Sequence, residues 1–307
     1  MATESDYRLD KLVYLFRTQA RSSSYVESIC GTRYGKAGNM ANPWRLYNND
    51  GVMAAIRAAE AKRSPALIEI FPWTMHFQGP HFVKYIVEAA HTASVPIGVH
   101  LDHCMDPADV EQALNLPIDS VMVDASRLEP EENIEYCRQI TEQAKIKGIT
   151  VEAEMGRING GEDGIPDASH LEEIWTDPQH AEEFTRRTGV QFLAPSFGNI
   201  HGPYPEGGSE KYWQLDRLKL IADAIGPTIP RVIHGTHPVP NWLFHKAIAT
   251  GARKININRN ARDGYTAFVA ENADRLELTA LKEQSVAIYQ RSVEHLMDVL
   301  GSSGKAH

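Results

Sequence analysis

Three histidines, His103, His201 and His234, each sit at or just beyond a short apolar run, and the runs are widely spaced along the chain. The first lies in His100-Leu101-Asp102-His103. Alternate residues of a strand share a side, so His100 and Asp102 face the same way and His103 falls just past the strand's end. Such a pair suits metal-assisted chemistry, in which an ion holds an oxyanion while an acid or base moves a proton. It suits a structural His–Asp hydrogen bond as well, and the local pattern favours neither. His201 lies in the glycine-rich run Pro195-Ser196-Phe197-Gly198-Asn199-Ile200-His201-Gly202, whose backbone can approach a ligand, and His234 in Val232-Ile233-His234-Gly235. One such histidine alone reads as a cap or a packing residue. Three from three strand ends point instead to a His₃ site with one open position, an arrangement used by catalytic zinc. Cobalt and iron fit the same donors.

Carboxylates and amides collect at other strand ends. Glu152 and Glu154 share one side of Thr150–Met155, and two inward carboxylates need a cation or a proton. The loop Gly156 to Gly164 either carries Glu162 over the site or is an acidic surface loop. Asp124 reads as a second-site metal ligand or as the N-cap of the next turn. Asn256 and Asn258 share a side and can bond polyol or phosphate oxygens. Arg259 could add charge for a phosphate or be solvated. Lys254, in the same strand, is either structural or a Schiff-base nucleophile.

Eight strand-like runs must hold these groups: Pro43–Asn48, Ala66–Phe71, Val95–Leu101, Ser120–Val123, Thr150–Met155, Gln191–Ser196, Arg231–His234 and Lys254–Asn258. Several are short and β-branched, as strands buried on both faces of a parallel sheet should be. Helical stretches alternate with them, among them Pro107–Leu114 after the cap Asp106, Pro130–Lys147 before Gly148, and Leu215–Ile225 before Gly226. The alternation predicts an α/β fold, a (β/α)₈ TIM barrel, over a doubly wound open sheet. Residues 1–40 form an N-terminal extension with a helix over Leu9–Ala20, and Asn258–Leu300 a long C-terminal helical segment. Tyr14, Phe16 and that segment belong to an interface or to the core. Gly301 to His307 reads as a frayed tail, and residues 1–307 as a single domain.

The formal net charge of −9 argues against a nucleic-acid partner, though not against a local phosphate site. Cys30, Cys104 and Cys137 form neither a zinc-binding spacing nor a disulfide framework, which fits a reducing cytoplasmic setting. No apolar run is long enough for a bilayer, so no membrane partner is expected.

Taken together, these motifs resemble the class II fructose-bisphosphate and tagatose-bisphosphate aldolase family. Val99-His100-Leu101-Asp102-His103-Cys104 is similar to its first motif. Glu152-Ala153-Glu154-Met155-Gly156, leading to Glu162-Asp163-Gly164, is similar to its second. Asn199 to Tyr204, His234-Gly235 and Asn256-Ile257-Asn258 follow in order, and the match covers about residues 43 to 265. The resemblance implies a zinc-dependent aldehyde-lyase, a ketose phosphate as small-molecule substrate, dihydroxyacetone phosphate and an aldehyde as products, a monovalent cation beside the zinc, and a homodimer or higher homo-oligomer. It assigns His103, His201 and His234 to the catalytic zinc, and Glu154 and Asp124 to a displaced or second ion. Asp102 handles the proton of the hydroxyl that becomes the aldehyde, and Glu162 the proton at the carbanion carbon. Gly202, Gly235 and Asn256 contact the ketose-phosphate part.

The chain departs from that pattern around the phosphate. Where the family has a Gly-Ser-rich nest after the last histidine, this chain reads His234-Gly235-Thr236-His237-Pro238-Val239, and Pro238 has no N–H to give. Phe71 and Trp73 replace small residues, Pro205 a lysine, and Arg259 a small hydroxyl residue. Either Arg259, His237 and Thr236 bind phosphate in another way, or the donor is another hydroxy-ketone; Phe71, Trp73 and Trp242 suit a more apolar ligand. A non-catalytic metal- or sugar-binding relative is the competing class.

Overall fold

Short apolar runs buried on both faces pair as parallel strands, because only a closed or covered sheet hides both sides from water. The computed structural model describes residues 42–161 and 174–306. Its main sheet is β1 (Asn42–Arg45), β2 (Ala66–Ile70), β3 (Ile97–Cys104), β4 (Ser120–Val123), β5 (Thr150–Met155), β6 (Phe192–Pro195), β7 (Arg231–Ile233) and β8 (Ala252–Ile255), hydrogen-bonded in that order. A parallel bridge between Trp44 and Ile257, with the Arg45 N–H donating to the Ile257 carbonyl at 3.1 Å, joins the first edge to the last. That closure gives the barrel and removes the open-sheet alternative.

The helices are α1 (Asn49–Lys62), α2 (Pro72–His91), α3 (Pro107–Leu114), α4 (Pro130–Lys147), α5 (Pro178–Thr188), α6 (Leu215–Ile225), α7 (Asn241–Thr250), α8 (Arg259–Asn272) and α9 (Leu278–Leu300). A short helix, Gly208–Tyr212, precedes α6. The Asp106 carboxylate accepts from the Ala108 N–H at 2.8 Å to start α3, and Gly148 ends α4 in the left-handed conformation.

Several boundaries differ from the sequence reading, the first strand among them, which ends at Arg45 rather than Asn48. β3 continues to Cys104, and its pairing with β4 is irregular between Leu101 and Cys104, where His103 takes a φ of 44°. His103 therefore sits in a bulge rather than past the strand's end. The last strand stops at Ile255, since Asn258 turns out of the sheet to precede α8. The long C-terminal segment is two helices, α8 and α9. The tail is docked, not frayed: the N–H groups of Gly304 and Ala306 donate to the Lys62 and Arg63 carbonyls, both at 2.8 Å, and the buried Ser302 and Ser64 hydroxyls meet at 2.6 Å. The extension 1–40, including Leu9–Ala20, Tyr14, Phe16 and Cys30, lies outside the described residues. No helix among the described residues is long and apolar enough to cross a membrane.

Inside the barrel, Leu67, Met122, Phe192, Ala194 and Val232 form a small apolar plug. Further along the strands the inward positions turn polar: Arg45, Glu69, His100, Glu152 and Lys254, each at most 3% exposed. The plug supports this layer, and the layer supports the strand ends.

Ending the chain after Gly301 should lower stability by about 2–4 kcal/mol, the sum of a few hydrogen bonds and the burial of Ala306. A urea unfolding midpoint equal to that of the full chain would show that the docked tail contributes nothing.

Candidate metal centre

His103, on the β3 bulge, His234, just after β7, and His201, beyond β6, converge with Glu154 of β5. One ligand atom from each of the four lies within 4.8 Å of every other. The ring centroids of His103 stand 4.9 Å from those of His201 and 4.8 Å from those of His234. All four side chains are buried. His201 is located by a two-residue parallel ladder, Asn159–Gly160 against Ile200–His201. Gly235 turns the chain after His234 at a φ of 67°, where a Cβ would collide with the Ile200 carbonyl.

The hydrogen bonds decide where the imidazole lone pairs point. His103 Nδ1 lies 2.8 Å from Asp124 Oδ2, and His234 Nε2 lies 3.0 Å from Glu152 Oε1. Carboxylates accept only, so each of these ring nitrogens carries the proton. The opposite nitrogens, His103 Nε2 and His234 Nδ1, are then both lone pairs, and they face each other at 2.9 Å. Two lone pairs that close repel unless a cation or a proton lies between them. Glu154 Oε2 is buried without a hydrogen-bond partner on the same cluster, its other oxygen accepting from the Ile158 N–H at 2.9 Å. Three imidazoles and a carboxylate with an orphaned oxygen fit a divalent transition-metal ion.

The charges agree. Burial opposes a proton on His103, but Asp102 and Asp124 raise it to about 9. Burial, with the neighbouring His103 cation, pushes His234 well below the ordinary histidine value. Burial and then Asp124 lift Glu154 to about 8. In the ion-free chain a proton thus occupies the place a metal would take.

Asp102 is fully buried and paired with the Arg45 guanidinium. Burial opposes its charge, yet the His103 and Arg45 cations hold it well below the usual carboxylate range. Asn256 Nδ2 lies 3.4 Å from Asp102 Oδ1, while its Oδ1 accepts from Lys254 at 2.8 Å. Lys254 also meets Glu69 at 2.8 Å and Glu152 at 3.0 Å. Burial alone would discharge Lys254, but Glu152 and Glu69 keep it protonated, so it has no lone pair for a Schiff base. Arg45, Glu69, His201, His234, Gly235, Asn256 and Asn258 line a narrow crevice over the cluster.

The other expected residues fall as follows. Asp124 stands behind His103, its second oxygen accepting from Ser126 at 2.7 Å, so here it orients the ring from outside. Gly202 has a φ of 93° and packs against Gly161. Asn258 accepts from the Tyr47 hydroxyl at 2.9 Å and from Arg262 at 3.1 Å. Arg259 is half-exposed and pairs with Asp263 at 3.2 Å, away from the cluster. Glu162 lies outside the described residues. The sequence reading passed over Arg45 and Glu69. A charged residue inside an otherwise apolar strand, as in Asn-Pro-Trp-Arg and Ala-Leu-Ile-Glu-Ile, was the available signal.

A family model described as fructose-bisphosphate aldolase class-II matches residues 34–305. A protein of Coccidioides immitis that provisionally bears the name fructose-bisphosphate aldolase is 41% identical over 270 residues, which are 85% of this chain and 88% of that one. The fructose-bisphosphate aldolase of Streptococcus pneumoniae is 35% identical over 282 residues, 84% of this chain and 91% of its own. Among solved structures, the YdjI aldolase of Escherichia coli K12 superimposes with a TM-score of 0.80 at 27% identity, covering 94% of this chain and 100% of that chain.

Because His103 at about 9 and Glu154 at about 8 both hold protons at pH 7 in the ion-free chain, zinc uptake should expel them. Zinc affinity should rise by about a hundredfold per pH unit from 6 to 7, a factor of ten for each proton expelled, and less steeply towards 8 as Glu154 loses its proton. Competition against a chromophoric chelator measures it; an affinity flat across that range would contradict the ligand assignment.

Proposed function

Since the chain belongs to the class-II fructose-bisphosphate aldolase family, and is thus a metal-dependent lyase, we propose that it reversibly cleaves a ketose (bis)phosphate to dihydroxyacetone phosphate and an aldehyde, with zinc as its ion. The convergence of His103, His201, His234 and Glu154, with ring nitrogens of His103 and His234 facing each other at 2.9 Å, is the observation that carries this reading. His103, His201 and His234 hold the ion, and Glu154 offers it an alternative seat. Bound there, zinc would polarise the donor's oxygens and would stabilise the negative charge left by carbon–carbon cleavage.

The chain's own residues do the rest. Asp102, ionised under Arg45 and His103, accepts the proton of the hydroxyl that becomes the aldehyde. Glu162 moves the proton at the donor carbon. Gly202, Gly235 and Asn256 seat the donor, with Asn258 and Arg259 assigned to its phosphate. A second donor, a hydroxy-ketone other than dihydroxyacetone phosphate, is favoured by one feature. The Thr236 hydroxyl donates to the Asn256 carbonyl and the His237 ring meets Asn260, so the loop after His234 uses these polar groups internally. The buried free thiols of Cys104 and Cys137 support a reducing, cytoplasmic setting, and a homodimer is the assembly this reading expects.

Exhaustive chelation should abolish turnover and zinc should restore it. Asp102→Asn should lower kcat by about 10²–10⁴ with metal content kept, as loss of a proton-transfer group does. Retro-aldol assays with metal analysis of each sample check both; turnover that survives chelation would reject the reading.

A further inference from the structure

We infer that the aromatic wall Phe71–Trp73–Phe77, flanked by Tyr47, is the subsite for the aldehyde half of the substrate, and that it takes an uncharged aldehyde bearing a ring. The inference rests on the aldolase reading above and specifies its substrate class.

The wall starts at the acid. The Arg45 guanidinium that holds Asp102 lies 5.9 Å from the centroid of the Phe71 ring. Phe71 stacks on Trp73 at 5.7 Å with 19° between planes, and Trp73 on Phe77 at 4.7 Å and 12°. Tyr47 meets the edge of Phe71 at 5.3 Å and 72°. Exposure rises outward from 3% at Phe71 to 41% at Trp73 and 71% at Phe77. The rings therefore form a continuous ramp from the buried acid to solvent. They stand at the C-terminal end of β2, on the face where barrels of this kind bind substrates.

Chemistry sets what lies along the ramp. In cleavage, Asp102 takes the hydroxyl proton of one carbon, that carbon becomes the aldehyde, and the electron pair of the broken carbon–carbon bond stays with the donor fragment. The substituent on the aldehyde carbon must then leave the site from beside Asp102, and Arg45 and Phe71 are what it meets. Arg45 is engaged with Asp102. His76, on the same turn as Trp73, is paired with Asp109 at 2.6 Å. Arg262 lies 5.2 Å from the centroid of the Tyr47 ring and is bonded to Asn258 at 3.1 Å; from Phe71 outward the ramp offers aromatic rings where a phosphorylated aldehyde would need cations. An aryl group, or the C–H face of a closed sugar ring, packs against the edges and outermost face of such a stack.

The test is aldol addition by the zinc-loaded enzyme, with dihydroxyacetone phosphate as donor and four aldehydes: benzaldehyde, a pyranosyl glycolaldehyde, glycolaldehyde and glyceraldehyde 3-phosphate. The ring aldehydes should show the higher kcat/KM, and whichever of the two leads identifies aryl or sugar. Trp73→Ala and the more exposed Phe77→Ala should lower kcat/KM about tenfold more for ring aldehydes than for glycolaldehyde, through KM, and Trp73→Phe should restore most of it. Independently of turnover, phenyl-substituted glycerol should quench tryptophan fluorescence at lower concentration than glycerol phosphate, with Trp73→Phe as the blank. A preference for glyceraldehyde 3-phosphate, or equal losses across all aldehydes, would overturn the subsite and leave the aldolase reading standing. Addition to no aldehyde, with either dihydroxyacetone phosphate or unphosphorylated dihydroxyacetone as donor, would defeat both.

Discussion

The candidate site depends on one buried ammonium. Lys254 sits in the middle of the barrel between Glu69 and Glu152, and neither it nor its partners reach water. Removing one partner from such a group leaves an uncompensated buried charge and typically costs about 3–5 kcal/mol, so the arrangement tolerates few alternatives. Its consequences run upward along the strands. Lys254 fixes the Glu152 carboxylate, and Glu152 fixes the tautomer of His234. Lys254 also occupies the Asn256 carbonyl oxygen, which leaves the amide nitrogen turned toward Asp102. One cation thus orients an imidazole and an amide on two different strands. A lysine used this way cannot be a nucleophile, which is the physical reason that the chemistry passes to an ion above it.

A second constraint is the match between carboxylates and imidazoles outside the cluster. Asp124 behind His103 and Glu152 behind His234 each claim a ring proton, the first from the adjacent strand and the second from across the barrel interior, two strands away. The inner lone pairs are then directed at a common point before any ion arrives, so binding need not reorganise the rings. His103 achieves its direction only because β3 bulges there. A regular strand would have turned its ring to the outer face.

Much of this was legible from residue types. The strand–helix alternation gave the barrel, and glycine, proline and aspartate marked α3, α4 and α6 within a residue or so of their observed ends. The three histidines, Asp102 and Glu154 stood out because polar residues at the ends of apolar runs have few structural uses. The reading failed where tertiary pairing overrides local pattern. Nothing local shows that β3 runs on through a bulge to Cys104. The docking of the tail depends on carbonyls of Lys62 and Arg63, more than 200 residues away. Arg45 and Glu69 were missed because a single charge in an apolar strand looks like a solvated edge until the sheet is closed.

The two halves of the cleft follow different physics. On the side of Lys254, Glu152 and the imidazoles, most polar atoms are tied to one another, with Glu154 Oε2 a buried exception, and the position of each charge is set by its neighbours. Such a region specifies where charge can develop and is rigid because any displacement strands a buried ion. On the side of Phe71, Trp73 and Phe77, contacts are ring faces whose attraction depends little on exact orientation, and exposure increases outward. The first half can determine which bond is broken. The second can vary what is attached to it with little disturbance of the first, because few side chains touch both: the Arg45 guanidinium between Asp102 and Phe71, and Tyr47, which bonds Asn258.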